Sequence, residues 1–453
     1  MSYWDKIAQG VIMRLHKILI FSAFSLSMLY ARQNEIAIME QEHKDTESTI
    51  EQENGVFLHG GLEVFNKTAF STKQALPNNS YGYALGQLGV GYKYNDFQIM
   101  IGAVAAGLTY DSTKGLGYNY VGAYPGYLND KDATADNTHN AFVHNAYIHY
   151  QTDSLNIKVG RFEQEDDDWF DSYAEGINAV YKFADNFHVK LFGSSTVALV
   201  GNGWLTDFST TYSTYGILNA EVGYNNDFLD AKAYVYYGAK EYVAPGLSVS
   251  ASFGDKESIS YTTKLVALFP IHSKSILDIG NHFFADFKDP TGFTSSILMR
   301  QDIDIYDTYK IALGVYKNIG NANARMGMFG NPIGIDIWDN SVYGTGRSLN
   351  ASVAPDALSV LLFTEARYEK LAKFVESLSF GLDGRYTTAP SATEYSLKFI
   401  VDWQIIDSVS LGLIANYYTH IMQNDAWNDS DITISGRHVL DRSYLMSSVT
   451  YAF

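Results

Sequence analysis

The sequence predicts an all-β fold: a transmembrane antiparallel barrel of about eighteen strands, with sixteen as the alternative. Three observations carry this. The stretch Tyr395 to Tyr417 alternates strictly, with Tyr395, Leu397, Phe399, Val401 and Trp403 on one face and Glu394, Ser396, Lys398 and Asp402 on the other. Only a strand sends successive side chains to opposite faces. The apolar row begins and ends in aromatics and spans about 27 Å at ~3.4 Å per residue, close to the ~25 Å apolar band of an outer-membrane barrel between its aromatic girdles. Finally, short polar turns alternate with long connections along most of the chain.

The totals agree. Tyr (34), Phe (26) and Gly (37) are plentiful and Pro (8) is scarce among 453 residues, a mixture that suits long strands. Past the N-terminus no run approaches the ~20 apolar residues of a spanning helix, so membrane residence requires a closed barrel. With no Cys, disulfides, thiolate metal sites and a lipidated N-terminal cysteine are excluded. The net charge of −18 disfavours nucleic acid as a partner and must be placed on loops or in a lumen.

Taken in order, residues 1–31 read as an export signal: Arg14, His16 and Lys17 precede the apolar run Ile18 to Tyr30, and Ala31 ends it. Met13 is an alternative start. Removing this segment leaves a mature charge of −20. Residues 32–54 are polar and acidic, with too few apolar residues to pack a core, and read as a periplasmic segment. Residues 55–453 form the barrel.

Eight short turns are expected at Asn95-Asp96, 152–154, 184–186, 225–227, His272-Ser273-Lys274, 306–308, 370–376 and 406–408, where Asn, Asp and Ser suit tight reversals. The longer connections are 111–139, 196–213, 240–258, 320–357 and 421–440, with shorter ones near 66–81, 163–173, 286–292 and 387–392. Short periplasmic turns and long extracellular loops are how outer-membrane barrels are built. Eight hairpins, an unpaired first strand near Val56 to Phe65 and a last one, Arg442 to Phe453, give eighteen strands. First and last then pair, removing the edges.

The chain ends in Phe453, with Tyr451, Val449 and Leu445 on the same face, and this end resembles the signal by which bacterial barrel proteins are recognised for outer-membrane insertion. More narrowly, Leu155 to Phe162 (LNIKVGRF), the preceding strand His144 to Tyr150 (HNAYIHY) and Gly330 to Tyr343 in the longest loop resemble the Hof-type outer-membrane proteins of the Helicobacter group. That group is porin-like and distantly similar to the 18-stranded OprD-type porins. The resemblance implies passive diffusion of small hydrophilic solutes and ions. After Gly160-Arg161 this chain departs from the pattern with a run of acids, so substrate preferences are not carried over.

By strand parity Lys158, Lys190, Lys232, Lys264, Arg300, Lys310, Arg367, Arg385 and Lys398 point inward. Cations on a wet wall can guide anionic groups; equally, a wet lumen is where charge belongs, with Asp230, Asp302, Glu365, Asp383 and Asp402 as partners. The third long-side loop carries Glu163, Glu165, Asp166, Asp167, Asp168 and Asp171, six acids in nine residues. Folded inward they would form a constriction favouring cations; left outside they are a solvated cluster or a site for lipopolysaccharide-bridging ions. No nucleophile elbow, phosphate loop or paired-His metal motif occurs, and Gly86 to Gly91 lies within a strand.

The leading reading is therefore a porin, a non-enzyme needing neither cofactor nor metal. Its partners would be outer-membrane lipid, lipopolysaccharide, small hydrophilic solutes and, in a homo-oligomer, further copies of itself. The second is a surface adhesin displaying the Tyr-rich loop 111–139 and loop 320–357, and the third a barrel hydrolase.

Overall fold

The computed structural model describes residues 54–70, 80–112, 120–123, 138–164, 167–170, 172–210, 214–255, 257–276, 289–324, 351–390, 392–422, 427–429, 432–434 and 437–453. The export signal and nearly all of the polar segment expected at residues 1–54 lie outside them, as does Gly330 to Tyr343. One sheet of 22 strands dominates. Four of these are short pieces, Val121–Ala123, Trp204–Ser209, Ile271–His272 and His438–Asp441. The other eighteen each pair antiparallel with two neighbours and close on themselves. Closure joins Gly55–Ala69 to Tyr444–Ala452, with Gly61 opposite Ala452 and Ala69 opposite Tyr444. Phe453 extends this seam through reciprocal backbone bonds with Gly60 of 3.0 Å each. Its ring lies where a Cβ on Gly60 would sit, 2.8 Å away, so glycine there lets the terminal aromatic fold over the seam.

Alternation sets the two faces of the wall. Along Ala392–Ile406, Leu397 and Phe399 are 49% and 37% exposed, while Ser396 and Lys398 between them are 8% and 6% exposed. A soluble protein would bury that apolar row; here lipid covers it. Leu445, Val449, Tyr451 and Phe453 are likewise exposed.

Seven of the eight expected turns reverse the chain near their expected places. Asn95 takes a positive φ of 50°, and its N–H donates to Asn54 Oδ1 at 2.6 Å. The turn expected at His272 to Lys274 is a correction. Tyr242–Gly254 is a strand where a long connection was expected, and it pairs with Ile259–Leu268 across the short link 255–258. The next long strand of the wall is Ser295–Ile305, which pairs with Ile259–Leu268. Ala244-Pro245-Gly246 reads locally as a turn, although Leu247, Val249, Ala251 and Phe253 alternate with Ser248, Ser250 and Ser252 after it. The ladder tolerates Pro245, which sits opposite Val235 and whose carbonyl accepts from Phe269 N at 2.8 Å. The eighteen-strand count survives because one hairpin moved without being lost.

Candidate functional site: two segments across the lumen

Two loop segments turn into the barrel. The first continues Leu155–Gln164 and returns into Ser172–Ala184. Within it Trp169 and Phe170 are 2% and 0% exposed. Aromatic side chains bury large apolar areas, and buried indole N–H groups find an acceptor. Trp169 Nε1 donates to Tyr234 Oη at 2.8 Å, and the Phe170 ring lies 4.8 Å from that of Phe192. These anchors carry the two acids just before them onto the wall. Asp167 Oδ2 lies 3.2 Å from Lys190 Nζ and accepts from Asn219 Nδ2 at 3.5 Å. Asp168 Oδ1 lies 3.2 Å from Lys264 Nζ, on a different strand. Burial pushes the Asp167 carboxyl above the usual carboxylate range, opposed by the Lys190 ammonium. Glu163 stays at the strand end and accepts from Tyr173 Oη at 3.1 Å. Glu165, Asp166 and Asp171 lie outside the described residues.

The remaining wall cations are mostly neutralised in place. Arg300 pairs with Asp302 at 2.8 Å, both buried, and stacks 4.4 Å from the Phe363 ring. Lys310 pairs with Asp304 at 3.3 Å, Arg367 with Glu369 at 3.8 Å, and Arg385 with Glu394 at 3.5 Å. Residues two apart in a strand share a face, so two of these pairs are built by local sequence. Lys158 lies over the rings of Tyr147 (5.1 Å) and Phe162 (5.8 Å). Lys398 stands opposite Asp383 in the ladder, and Lys232 opposite Ser248. Asp302 was among the acids expected as wall partners; Asp304, Glu369 and Glu394 are additions.

The second inward segment was not foreseen beyond being a loop. It leaves Phe187–Gly201 through Gly201, Asn202 and Gly203, all at positive φ (94°, 54° and 88°). Glycine takes that region freely and Asn tolerates it. The wall that receives it is five and six strands away around the barrel, on Tyr81–Tyr94 and Gly55–Ala69. There Glu63 Oε2 accepts from Asn202 N (3.2 Å) and Tyr83 Oη (2.7 Å), Gly203 N donates to Tyr83 Oη (3.1 Å), and Tyr81 Oη donates to the Gly203 carbonyl (2.8 Å). Trp204–Ser209 then pairs parallel with Val121–Ala123. His139 Nδ1 meets Asp207 Oδ2 at 2.9 Å. Tyr81, Tyr120, Trp204 and Leu205 bury one another on Phe65 and Tyr444. Glu63, Tyr81 and Tyr83 stand on polar-face positions, but nothing local in the sequence says which loop they receive.

The arrangement is a wide antiparallel tube narrowed from inside by two packed segments. Among solved structures, OccAB4 of Acinetobacter baumannii superimposes with a TM-score of 0.64 at 12% identity, over 89% of this chain and 99% of that one. OccD3 (OpdP) of Pseudomonas aeruginosa gives 0.57 at 13%, over 87% and 91%. OpdK of Pseudomonas aeruginosa, solved with vanillate, gives 0.58 at 9%, over 87% and 98%. At such identities the likeness establishes the fold, that of the OprD/Occ-type barrels to which the sequence was expected to be distantly similar. No curated protein matches the chain. A family model described as "Putative outer membrane protein" matches residues 52–453, so the chain belongs to that family of outer-membrane proteins.

Proposed function

We propose that this protein is a porin in the outer membrane, passing small hydrophilic solutes and ions passively through a lumen narrowed by residues 167–170 and 201–209. The observation that carries this reading is the inward docking of Asp167 and Asp168 on Lys190 and Lys264. A loop that closed the barrel from outside would have no reason to seat its charges on the inner wall. The OpdK structure contains vanillate, consistent with small-solute traffic through barrels of this shape. The adhesin reading is not supported, and its two loops lie largely outside the described residues.

With Lys190 and Lys264 neutralised by this docking, the reading favours cations over anions. Several wall bases already have a carboxylate partner, so the basic row presents little free positive field, while the chain as a whole is strongly acidic. Fixed negative charge in a narrow polar passage enriches cations and repels anions. Planar-bilayer recording of the purified protein tests both parts. Stepwise currents with a reversal potential on the K⁺ side under a KCl gradient are expected; a silent barrel would overturn the porin reading, and a Cl⁻-side reversal the selectivity.

A further inference from the structure

Where the strands Val375–Thr388, Ala392–Ile406 and Val409–Met422 approach the long-loop end, a charged cluster is buried that the transport reading does not use. Glu394 (0% exposed) is its centre. One carboxylate oxygen, Oε1, accepts from Tyr418 Oη at 2.8 Å and from His420 Nδ1. The other, Oε2, faces Arg385 Nη1 at 3.5 Å, and Arg385 Nη1 also donates to Ser352 Oγ at 3.2 Å. Oε2 is buried and, beyond this ion pair, accepts no hydrogen bond among the described residues.

A second guanidinium enters the same space. Arg442 is tethered by its backbone N–H to the Tyr418 carbonyl at 2.8 Å. Its Cζ stands 5.9 Å from the Tyr418 ring, and that of Arg385 5.4 Å from the same ring. Both Arg442 Nη atoms are shielded from solvent and find no hydrogen-bond acceptor among the described residues. Arginine cannot shed its proton. A buried guanidinium without an acceptor is costly, and native structures rarely keep such a group without an ion or water to meet it. The Tyr418 face offers only a weak cation–π contact at this distance.

We infer that Arg442, with Arg385 across Tyr418, holds one small inorganic anion in the wall. The anion supplies the acceptor oxygens or halide surface that Arg442 lacks, and a second negative charge where two guanidiniums share the single carboxylate of Glu394. The site lies within the wall, so its role is to lock three strands and the connector at Arg442 together rather than to pass solute.

The test uses the full chain in detergent. Its thermal unfolding is followed by the mobility shift of folded barrel on gels, in chloride or phosphate against gluconate at one pH and ionic strength. The midpoint is expected to rise saturably with chloride or phosphate, and Arg442→Gln to abolish that rise while Arg442→Lys keeps part of it. Crystals grown in bromide should show an anomalous peak beside Arg442 if the bound anion is a halide. Midpoints in the wild-type protein that are equal in chloride, phosphate and gluconate would overturn the proposal and leave the Arg442 donors to water. This arm needs no variant to fold. A salt-dependent rise that persists unchanged in Arg442→Gln would also overturn it, by moving the anion elsewhere.

Discussion

Replacing Asp167 and Asp168 together with Asn removes two negative charges from the narrowing and leaves Lys190 and Lys264 without their 3.2 Å partners. Local charge therefore moves from balanced toward +2. For an ion passing about 5 Å from each unpaired ammonium, the Coulomb energy in water, repulsive for a cation and attractive for an anion, is about 0.8 kcal/mol, and screening at 0.1 M salt reduces it to about 0.5 kcal/mol. Two charges give about 1 kcal/mol, or roughly a fivefold loss of cation occupancy with a similar gain for anions. Asn keeps the side-chain volume, and the Trp169 and Phe170 anchors are untouched, so the loop should stay docked. The assay is reversal potential under a tenfold KCl gradient in planar bilayers. It should move from the K⁺ side through zero toward the Cl⁻ side, and the shift should shrink near 1 M salt, where the Debye length is about 3 Å. An unchanged reversal potential with conductance intact would refute the reasoning and return selectivity to other groups.

The other predictions follow from the same geometry. Phe399→Arg places a charge on the lipid face and should cost about 2 to 4 kcal/mol near the midplane, whereas Phe399→Leu should cost under about 1.5 kcal/mol; equal unfolding midpoints in lipid would refute the outward assignment. Glu63→Ala removes the acceptor of Asn202 N and Tyr83 Oη, at about 1 to 3 kcal/mol per stranded group, and single-channel conductance should rise as the 201–209 segment loosens. Acidification should weaken cation preference at a pH above the ordinary aspartate range, because burial raises the Asp167 pKa. A carboxyl whose folded value lies above its unfolded one binds protons more readily in the folded state, so this group opposes folding only as pH rises through its range. Selectivity should therefore fall before the fold does, and coincident loss of both would count against Asp167 as the titrating group. Mature protein from outer membranes should begin near Arg32, and N-terminal sequencing that finds residues 1–31 retained would rule out export by that signal.

Much of the fold was legible in the chain itself, because side-chain period in a strand is a local property. Leu397, Phe399 and Lys398 declare their faces without reference to any partner, and Asn95 or Asp407 marks a turn through its own backbone preference. Pairs such as Arg300 with Asp302 are also local, two residues apart on one face. The Tyr242–Gly254 strand was hidden behind Pro245-Gly246, which reads as a turn inside a connection, although Leu247, Val249, Ala251 and Phe253 alternate with serines beyond it; its place was decided by neighbours, with Lys264 opposite Ser250 and Val235 opposite Pro245. What only the tertiary structure decided is which loops enter the lumen and what they meet. Asp168 reaches Lys264 and Asn202 reaches Glu63 across 96 and 139 residues of sequence. Arg442, unremarkable at the start of the expected last strand, has both Nη atoms buried only when three strands and a tyrosine ring close around it. Such contacts form because closing the barrel brings distant walls face to face, and no window of local sequence contains both partners.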